Sequence, residues 1–296
     1  MSSNIESKSL FVPSLEKTSH YIPRTLAGGV TEDQMYDFAL DNEMNILIEG
    51  DAGTGKTTSV MNWCAKRKLE FFAIPSNSAL DFTQLIGGLF PDADGKLKWI
   101  DGAITKVVRN GGVLLVNELN NAHKSLAQYL MSLGDDRRSI TLMSHDNEVI
   151  RAPKNKFLLV ADQNPNYRGT QLLNEAWKDR FDIKLRFDYD TEIEKKFIKS
   201  DSLRELASGI RATVRKDEFA SDRNTIFETP MSPRILKTFE KLATGLNFDF
   251  ASEVFINNFT DEERPAVKML LEGTSYNIRE ELGLDVDAIT TEHDQA

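Results

Sequence analysis

The sequence is poor in the residues that form disulfides and structural metal sites. Its 296 residues include one cysteine, Cys64, and four histidines that lie far apart. A single cysteine forms no internal disulfide, and these residues show none of the spacings typical of a zinc site. Cys64 lies in an apolar-periodic stretch, so we expect a buried and inert thiol.

Long apolar runs are also lacking. No stretch approaches the roughly 18 apolar residues that a membrane-spanning helix needs. The N-terminal segment MSSNIESKSLF has neither the basic start nor the apolar centre of a signal peptide. We therefore expect a cytoplasmic protein without a membrane span.

The chain also lacks an excess of basic residues. It has 36 Lys and Arg against 46 Asp and Glu, a net charge of −10. This balance argues against a protein whose whole surface binds nucleic acid, although it is compatible with a basic channel inside an acidic assembly. The hydrophobic content of 40% is sufficient for one large core or two packed domains.

The pattern along the chain predicts an α/β domain followed by a helical one. Apolar runs of strand length alternate with helical segments; these runs are 45–50, 70–75, 112–116, 156–161 and 183–187. Runs that are apolar on both faces predict a parallel sheet covered on two sides by helices. From Thr191 onward helical periods dominate. We expect an N-terminal arm at 1–25, a P-loop α/β domain at 26–190, a small all-α lid at 191–272 and an acidic tail at 273–296.

The segment GDAGTGKT, residues 50–57, matches the phosphate-binding pattern G-x-x-x-x-G-K-[ST]. Its glycines allow successive backbone N–H groups to face phosphate oxygens, and the following helix adds the partial positive charge of its N-terminus. We expect Lys56 to bind the β- and γ-phosphates and Thr57 to bind Mg²⁺. The predicted nucleotide-binding residues are Gly50, Asp51, Ala52, Gly53, Thr54, Gly55, Lys56, Thr57 and Thr58.

The apolar run 112–116 leads directly into Asn117 and Glu118. Glu118 is suited to orient a water molecule toward the γ-phosphate. Asn117 stands where an aspartate normally holds the hydration shell of the magnesium ion. Its amide oxygen accepts a hydrogen bond but supplies no charge, so we expect a working ATPase that needs more magnesium. Asn164 follows the run 156–161 and would lie beside the γ-phosphate if the two strands are neighbours.

The ordered segments GDAGTGKT, GGVLLVNELNNAH, ADQNP, LLNEAWKDRF and SPRIL resemble AAA+ ATPases of the MoxR group and its CbbQ/NirQ and GvpN relatives. The resemblance covers roughly residues 25–245. It implies that Glu118 is the catalytic glutamate and that Asn164 is sensor 1. It likewise implies that Arg180 is an arginine finger acting on ATP in the neighbouring subunit, and that Arg234 is the sensor 2 arginine of the lid.

The same resemblance implies ATP and Mg²⁺ as cofactors and a ring, expected to be a hexamer. It also implies a remodelled protein client, often with a partner that carries a von Willebrand factor A domain. Two hairpin patterns, at 90–99 and 138–157, are expected to face the pore or a partner. Asn117 departs from the family, which usually has an aspartate there.

Two other functions stay open. A nucleic-acid motor would share the same parts, and Lys154 and Lys156 form the one basic cluster near the second hairpin. A nucleotide-binding scaffold would follow if Asn117 abolished useful turnover. A small-molecule P-loop kinase would leave Arg180 and Arg234 unexplained.

Overall fold

The computed structural model describes residues 12–74, 82–121, 124–164, 175–217 and 227–286. The chain forms two compact units. The first contains Met1–Gly50 and Gly55–Phe187, and the second contains Asp51–Thr54 and Asp188–Ala296. The strands named below lie in the first unit, and the helices from Thr191 onward lie in the second.

The described part of the first unit contains nine strands. They are β1 (Ile46–Glu49), β2 (Phe71–Ile74), β3 (Gly87–Pro91), β4 (Leu97–Asp101), β5 (Gly112–Val116), β6 (Ser139–Leu142), β7 (Glu148–Arg151), β8 (Phe157–Gln163) and β9 (Ile183–Arg186). Five of them form a parallel sheet in the order β2-β5-β8-β1-β9. This arrangement confirms the predicted parallel sheet.

Both faces of the sheet are covered, which explains why the apolar runs are unbroken. Successive residues of a strand point to opposite faces. Leu114 and Leu159 therefore pack in one hydrophobic core, whereas Val113 and Leu158 pack in the other. All residues of β5 and β8 are buried, as expected for central strands of a parallel sheet.

The register brings several strand ends together at one edge. Val116 of β5 lies opposite Ala161 of β8, and Gln163 of β8 lies opposite Glu49 of β1. The residues that follow β1, β5 and β8 therefore meet at the carboxyl edge of the sheet. Ligand sites of open parallel sheets form at this edge.

The first unit also contains seven α-helices in its described part. They are α1 (Leu15–Thr18), α2 (Glu32–Asp41), α3 (Lys56–Arg67), α4 (Phe82–Leu85), α5 (Ala103–Asn110), α6 (Lys124–Leu133) and α7 (Glu175–Lys178). Short 3₁₀ turns lie at Ala27–Gly29 and Leu119–Asn121. Thr31 caps α2 by a reciprocal pair of hydrogen bonds with Gln34. Cys64 of α3 is fully buried, as expected.

The predicted N-terminal arm is partly wrong, because its second half belongs to the first unit and packs inside it. Thr18 is buried, and its carbonyl accepts a hydrogen bond from the Asn62 amide. The Tyr21 hydroxyl and the Arg24 backbone N–H both donate to the Glu32 carboxylate. Polar contacts fix this segment, so it lacks the apolar periodicity that would have predicted its packing. Residues 1–11 of the arm lie outside the described residues.

Both predicted hairpins are confirmed. Strands β3 and β4 pair antiparallel, with Leu89 opposite Trp99. Strands β6 and β7 also pair antiparallel, and the five-residue connection between them ends in Asp146 and Asn147, which both have positive φ.

The described part of the second unit is helical. Its helices are α8 (Thr191–Glu194), α9 (Asp201–Asp217), α10 (Pro233–Gly245), α11 (Phe248–Ile256) and α12 (Arg264–Glu281). The predicted end of the lid at residue 272 is wrong, because α12 continues to Glu281 and buries Ile278 in the same core as Leu271. Residues 287–296 of the expected tail lie outside the described part. Among the described residues of the chain, no helix is both long enough and apolar enough to cross a membrane.

Candidate active site

The phosphate loop ends in a conformation that favours glycine. Gly55 has φ of 90°, and a Cβ atom there would lie 3.2 Å from Cε2 of Tyr21. Gly55 is also the N-cap of α3 and provides no side-chain cap. The N-cap residue therefore has no side chain that competes with an anion such as a phosphate for the first backbone N–H groups of this helix.

In the second unit, the loop residues Asp51–Thr54 lie beside the start of α10. Gly53 has φ of 80°, and a Cβ atom there would lie 2.9 Å from the Cβ of Ser232. The Tyr189 hydroxyl donates to the carbonyl of Ala52 at 3.0 Å. Ser232 is the N-cap of α10, whose first turn contains Arg234. The action of Arg234 on the nucleotide stays a prediction.

Lys56 and Asn164 meet in the first unit, as the neighbouring strands required. The Lys56 side chain is buried, and its ammonium group donates to the Gly50 carbonyl and to Oδ1 of Asn164, both at 2.6 Å. Phosphate oxygens are stronger acceptors than these neutral groups because they are charged. Lys56 can therefore exchange these partners for the phosphates of a nucleotide. Residues 165–174, which include Pro165 of ADQNP and the first three residues of LLNEAWKDRF, lie outside the described part.

The Thr57 hydroxyl lies between two oxygen acceptors. It is 3.2 Å from Oδ1 of Asn117 and 3.3 Å from Oδ2 of Asp162. The expected proximity of Thr57 and Asn117 is therefore present. Asp162 is a third residue at this place, and no role is predicted for it from the sequence analysis.

Asp162 is a carboxylate in the middle of the sheet, with 3% of its surface exposed. Burial raises the pKa of its carboxyl group, against the opposing effects of the Glu118 N–H, the Lys56 ammonium and the Thr57 hydroxyl. A sequence signal did exist: acidic residues are almost never fully buried unless they are paired. An aspartate directly after the apolar run 157–161 should have indicated a nearby cation or donor.

Glu118 has an unusual backbone conformation and an exposed side chain. Its φ of 52° lies in the left-handed region, which is uncommon for residues other than glycine. Its N–H donates to Oδ1 of Asp162 at 2.9 Å, which holds the strained turn in place. Strain of this kind concentrates at functional sites. The exposed carboxylate remains accessible to a water molecule and can act as its hydrogen-bond acceptor.

Arg180 lies away from this group of residues. Its guanidinium donates to the carbonyls of Met131 and Ala176, and its own carbonyl accepts a hydrogen bond from the Asn45 amide. Asn45 precedes β1, so Arg180 lies at the amino edge of the sheet, opposite to Lys56. The structure does not bring Arg180 to the phosphate loop of its own chain.

The donor set fits a magnesium–nucleotide complex. Mg²⁺ prefers oxygen ligands and usually retains waters while it binds one or two protein groups and substrate phosphates. Thr57, Asn117 and Asp162 present hydroxyl, amide and carboxylate oxygens at one place. Lys56 and the start of α3 supply the positive charge that phosphates require.

Comparison with known proteins agrees with this chemistry. Residues 45–181 match the model of the AAA domain (dynein-related subfamily). The denitrification regulatory protein NirQ of Stutzerimonas stutzeri is 29% identical over 213 residues, which cover 68% of this chain and 76% of NirQ. Protein NorQ of Paracoccus denitrificans is 27% identical over 245 residues, 78% of this chain and 86% of NorQ. An uncharacterized protein of Staphylococcus epidermidis is 30% identical over 243 residues, 79% of this chain and 90% of that protein.

The parallel sheet, the phosphate loop and the polar strand ends define a P-loop nucleotide hydrolase. The chain belongs to the AAA+ ATPases, and it is similar to NirQ and NorQ of the MoxR group. The predicted family, fold class and ATPase activity are therefore confirmed.

Proposed function

We propose that this ATPase assembles into a ring, expected to be a hexamer, and hydrolyses ATP between neighbouring subunits. Hydrolysis would move the helical lid relative to the α/β domain and so remodel or activate a protein partner. The names of the relatives, denitrification regulatory proteins among them, support a role in regulating other proteins.

Within one subunit, the residues around the phosphate loop have different roles in binding and hydrolysing ATP. Lys56 and the first turn of α3 bind the phosphates, and Thr57 with Asn117 holds the magnesium ion. A bound Mg²⁺ offsets phosphate charge as bonds to the γ-phosphate change. Glu118 accepts a hydrogen bond from the attacking water and orients it, while Asn164 contacts the γ-phosphate. Arg234 would reach the nucleotide from the lid.

The position of Arg180 is the observation that supports a site between subunits. From Asn45, which contacts the Arg180 backbone, the chain runs along β1 to Gly50 before it reaches the phosphate loop. Five extended residues span about 16 Å, which exceeds the reach of an arginine side chain. A planar, permanently charged guanidinium suits a γ-phosphate. Arg180 could therefore serve the ATP of a neighbour but not its own.

The β3–β4 hairpin supports a protein partner. Its exposed apolar side chains are Leu89, Phe90, Leu97 and Ile100, of which Leu97 is 65% exposed. The register places Leu89 and Leu97 on one face of the hairpin and Phe90 and Ile100 on the other. Exposed apolar residues grouped on one element commonly mark protein interaction sites. We propose that this hairpin contacts the client or a partner with a von Willebrand factor A domain. Nucleic acid is the less favoured partner, and stimulation of the ATPase by DNA would be the evidence for it.

A subunit-mixing experiment tests the ring. Arg180→Ala subunits keep an intact pocket, and Glu118→Gln subunits keep an intact arginine, so each variant alone should be nearly inactive. In a ring mixed at equal amounts, about a quarter of interfaces combine an intact pocket with an intact arginine. We expect ATP turnover to recover toward that fraction of the wild-type rate.

Arg137→Ala is the matched control, because Arg137 is an exposed arginine that pairs with Asp135. Subunits with this change should keep near wild-type turnover alone. If native mass spectrometry confirms mixed rings of Arg180→Ala and Glu118→Gln subunits and no ratio restores turnover, the intersubunit site is wrong.

A further inference from the structure

We propose that Asp162, rather than the residue at the end of β5, supplies the negative charge of the magnesium site. The inference rests on the proposed function in one respect, since it assumes that the nucleotide binds together with Mg²⁺. It assigns a task to a carboxylate that the sequence reasoning passed over.

The sheet register places Asp162 and Asn117 side by side. Val116 pairs with Ala161, so the next residues of the two parallel strands are Asn117 and Asp162. Neighbouring strands lie about 4.8 Å apart, and residues in register point to the same face. Both side chains lie within hydrogen-bond distance of the Thr57 hydroxyl. A carboxylate on β8 is therefore available at the place where β5 provides an amide.

The hydrogen bonds that Asp162 accepts do not neutralise its negative charge. It accepts two bonds among the described residues, from the Glu118 N–H and the Thr57 hydroxyl, and both donors are neutral. Lys56 acts on it through charge, but the Lys56 ammonium donates to Gly50 and Asn164. A buried carboxylate is costly unless it is paired or binds a metal. A cation beside Thr57 would provide that pairing.

A purely structural role explains the carboxylate less well. Asp162 does hold the strained turn at Glu118, but an amide or hydroxyl oxygen could accept the same N–H bond without the cost of burying a charge. The negative charge itself therefore needs a reason. Thr57 supplies one, because it is the predicted magnesium ligand and lies next to this carboxylate.

The test measures how strongly magnesium tightens nucleotide binding. Isothermal titration calorimetry with adenylyl imidodiphosphate, a non-hydrolysable ATP analogue, is carried out in EDTA and in saturating MgCl₂. The ratio of the two affinities is the magnesium factor. Asp162→Asn should lower this factor by about tenfold or more, as loss of supporting groups around a metal does. The affinity in EDTA should stay unchanged or rise, because a negative charge near the phosphates is removed.

The charge-swap variant, Asn117→Asp combined with Asp162→Asn, returns one carboxylate to the neighbouring strand. It should restore most of the magnesium factor, which a merely structural role would not predict. Asp37→Asn is the control for loss of one negative charge, because Asp37 pairs with Arg67 on the surface. If Asp162→Asn does not fold, Asp162→Ser, which also removes the charge, takes its place.

The outcomes separate this inference from the proposed function. If magnesium does not tighten binding to the wild type, the proposed magnesium-dependent site fails, and the inference fails with it. If the wild type shows a clear magnesium factor and Asp162→Asn retains it, only the inference is overturned. Equal loss of affinity in EDTA and in MgCl₂ would also overturn it, because Asp162 would then merely support the loop.

Discussion

Asp162 in the first unit and Glu263 in the second are buried to the same degree, with 3% and 2% of their surfaces exposed. Their pKa values nevertheless shift in opposite directions. Burial raises the pKa of Asp162, which accepts two hydrogen bonds from neutral groups. Burial acts on Glu263 in the same direction, but hydrogen bonds from Thr229, Glu228 and Thr260 outweigh it and lower the pKa.

This difference separates a carboxylate that stabilises a fold from one that a ligand can use. Glu263 is the N-cap of α12, and its carboxylate accepts four hydrogen bonds from neutral donors, against two at Asp162. Its charge is therefore better stabilised within the protein. Asp162 costs stability in the nucleotide-free protein, a cost that proteins tolerate mainly at functional sites.

The largest effect concerns the cation beside Asp162. Lys56→Ala removes the charged donor that the phosphates need, and hydrogen bonds to charged groups contribute roughly 1.5–3 kcal/mol each. We expect the affinity for ATP, measured by calorimetry, to fall by at least about 100-fold. Lys66→Ala is the control, since Lys66 lies on the same helix but pairs with Asp33 on the surface. Unchanged ATP affinity of Lys56→Ala would refute the phosphate-loop assignment.

The second prediction concerns the structural carboxylate. Glu263→Gln replaces an acceptor-only group by an amide that faces N–H and O–H donors. We expect the free energy of unfolding to fall by about 2–3 kcal/mol at neutral pH, because buried donors lose a charged acceptor. Urea denaturation followed by circular dichroism measures the change. Glu262→Gln, on the exposed neighbouring residue, should have little effect.

The same pair of variants gives a pH prediction. Because the pKa of Glu263 is lowered in the folded protein, its stabilising contribution is present above the unfolded value of about 4.3 and is lost as pH falls. The stability difference between the wild type and Glu263→Gln should therefore shrink in acid. A difference that grew below pH 4.3 would contradict the assigned hydrogen bonds. For Asp162 the opposite dependence is expected. Because its pKa is raised in the folded protein, its charged form costs stability, and this cost disappears as pH falls.

The smallest effect is expected from Asn117→Asp alone. It adds a second carboxylate next to Asp162, and two close carboxylates disfavour each other's charged forms. We expect the magnesium concentration for half-maximal turnover to fall by only about two- to threefold. ATP affinity in excess magnesium should not change. If the wild type hydrolyses no ATP at saturating Mg²⁺ and Asn117→Asp restores hydrolysis, the scaffold alternative is correct.

Local patterns predicted most of the fold. The strands β1, β2, β5, β8 and β9 and both hairpins lie where apolar runs and turn residues placed them. The predictions were wrong where packing depends on polar contacts or on the length of one helix. The segment 18–24 packs through hydrogen bonds with Glu32 and Asn62. Such polar contacts produce no periodic pattern in the sequence. The end of α12 depends on Ile278, a single apolar residue beyond the expected boundary.

The sequence by itself determined the phosphate loop, the positions of Asn117 and Glu118 at the end of their strand, and the family. These features depend on residues that are consecutive or on a strand that ends at a fixed place. Only the tertiary structure decided that Asp162 lies beside Thr57 and that Arg180 lies at the amino edge of the sheet. Both facts follow from the pairing and register of strands that are distant in sequence. Strand register is set by packing across the whole sheet, so neither fact could be read from one segment alone.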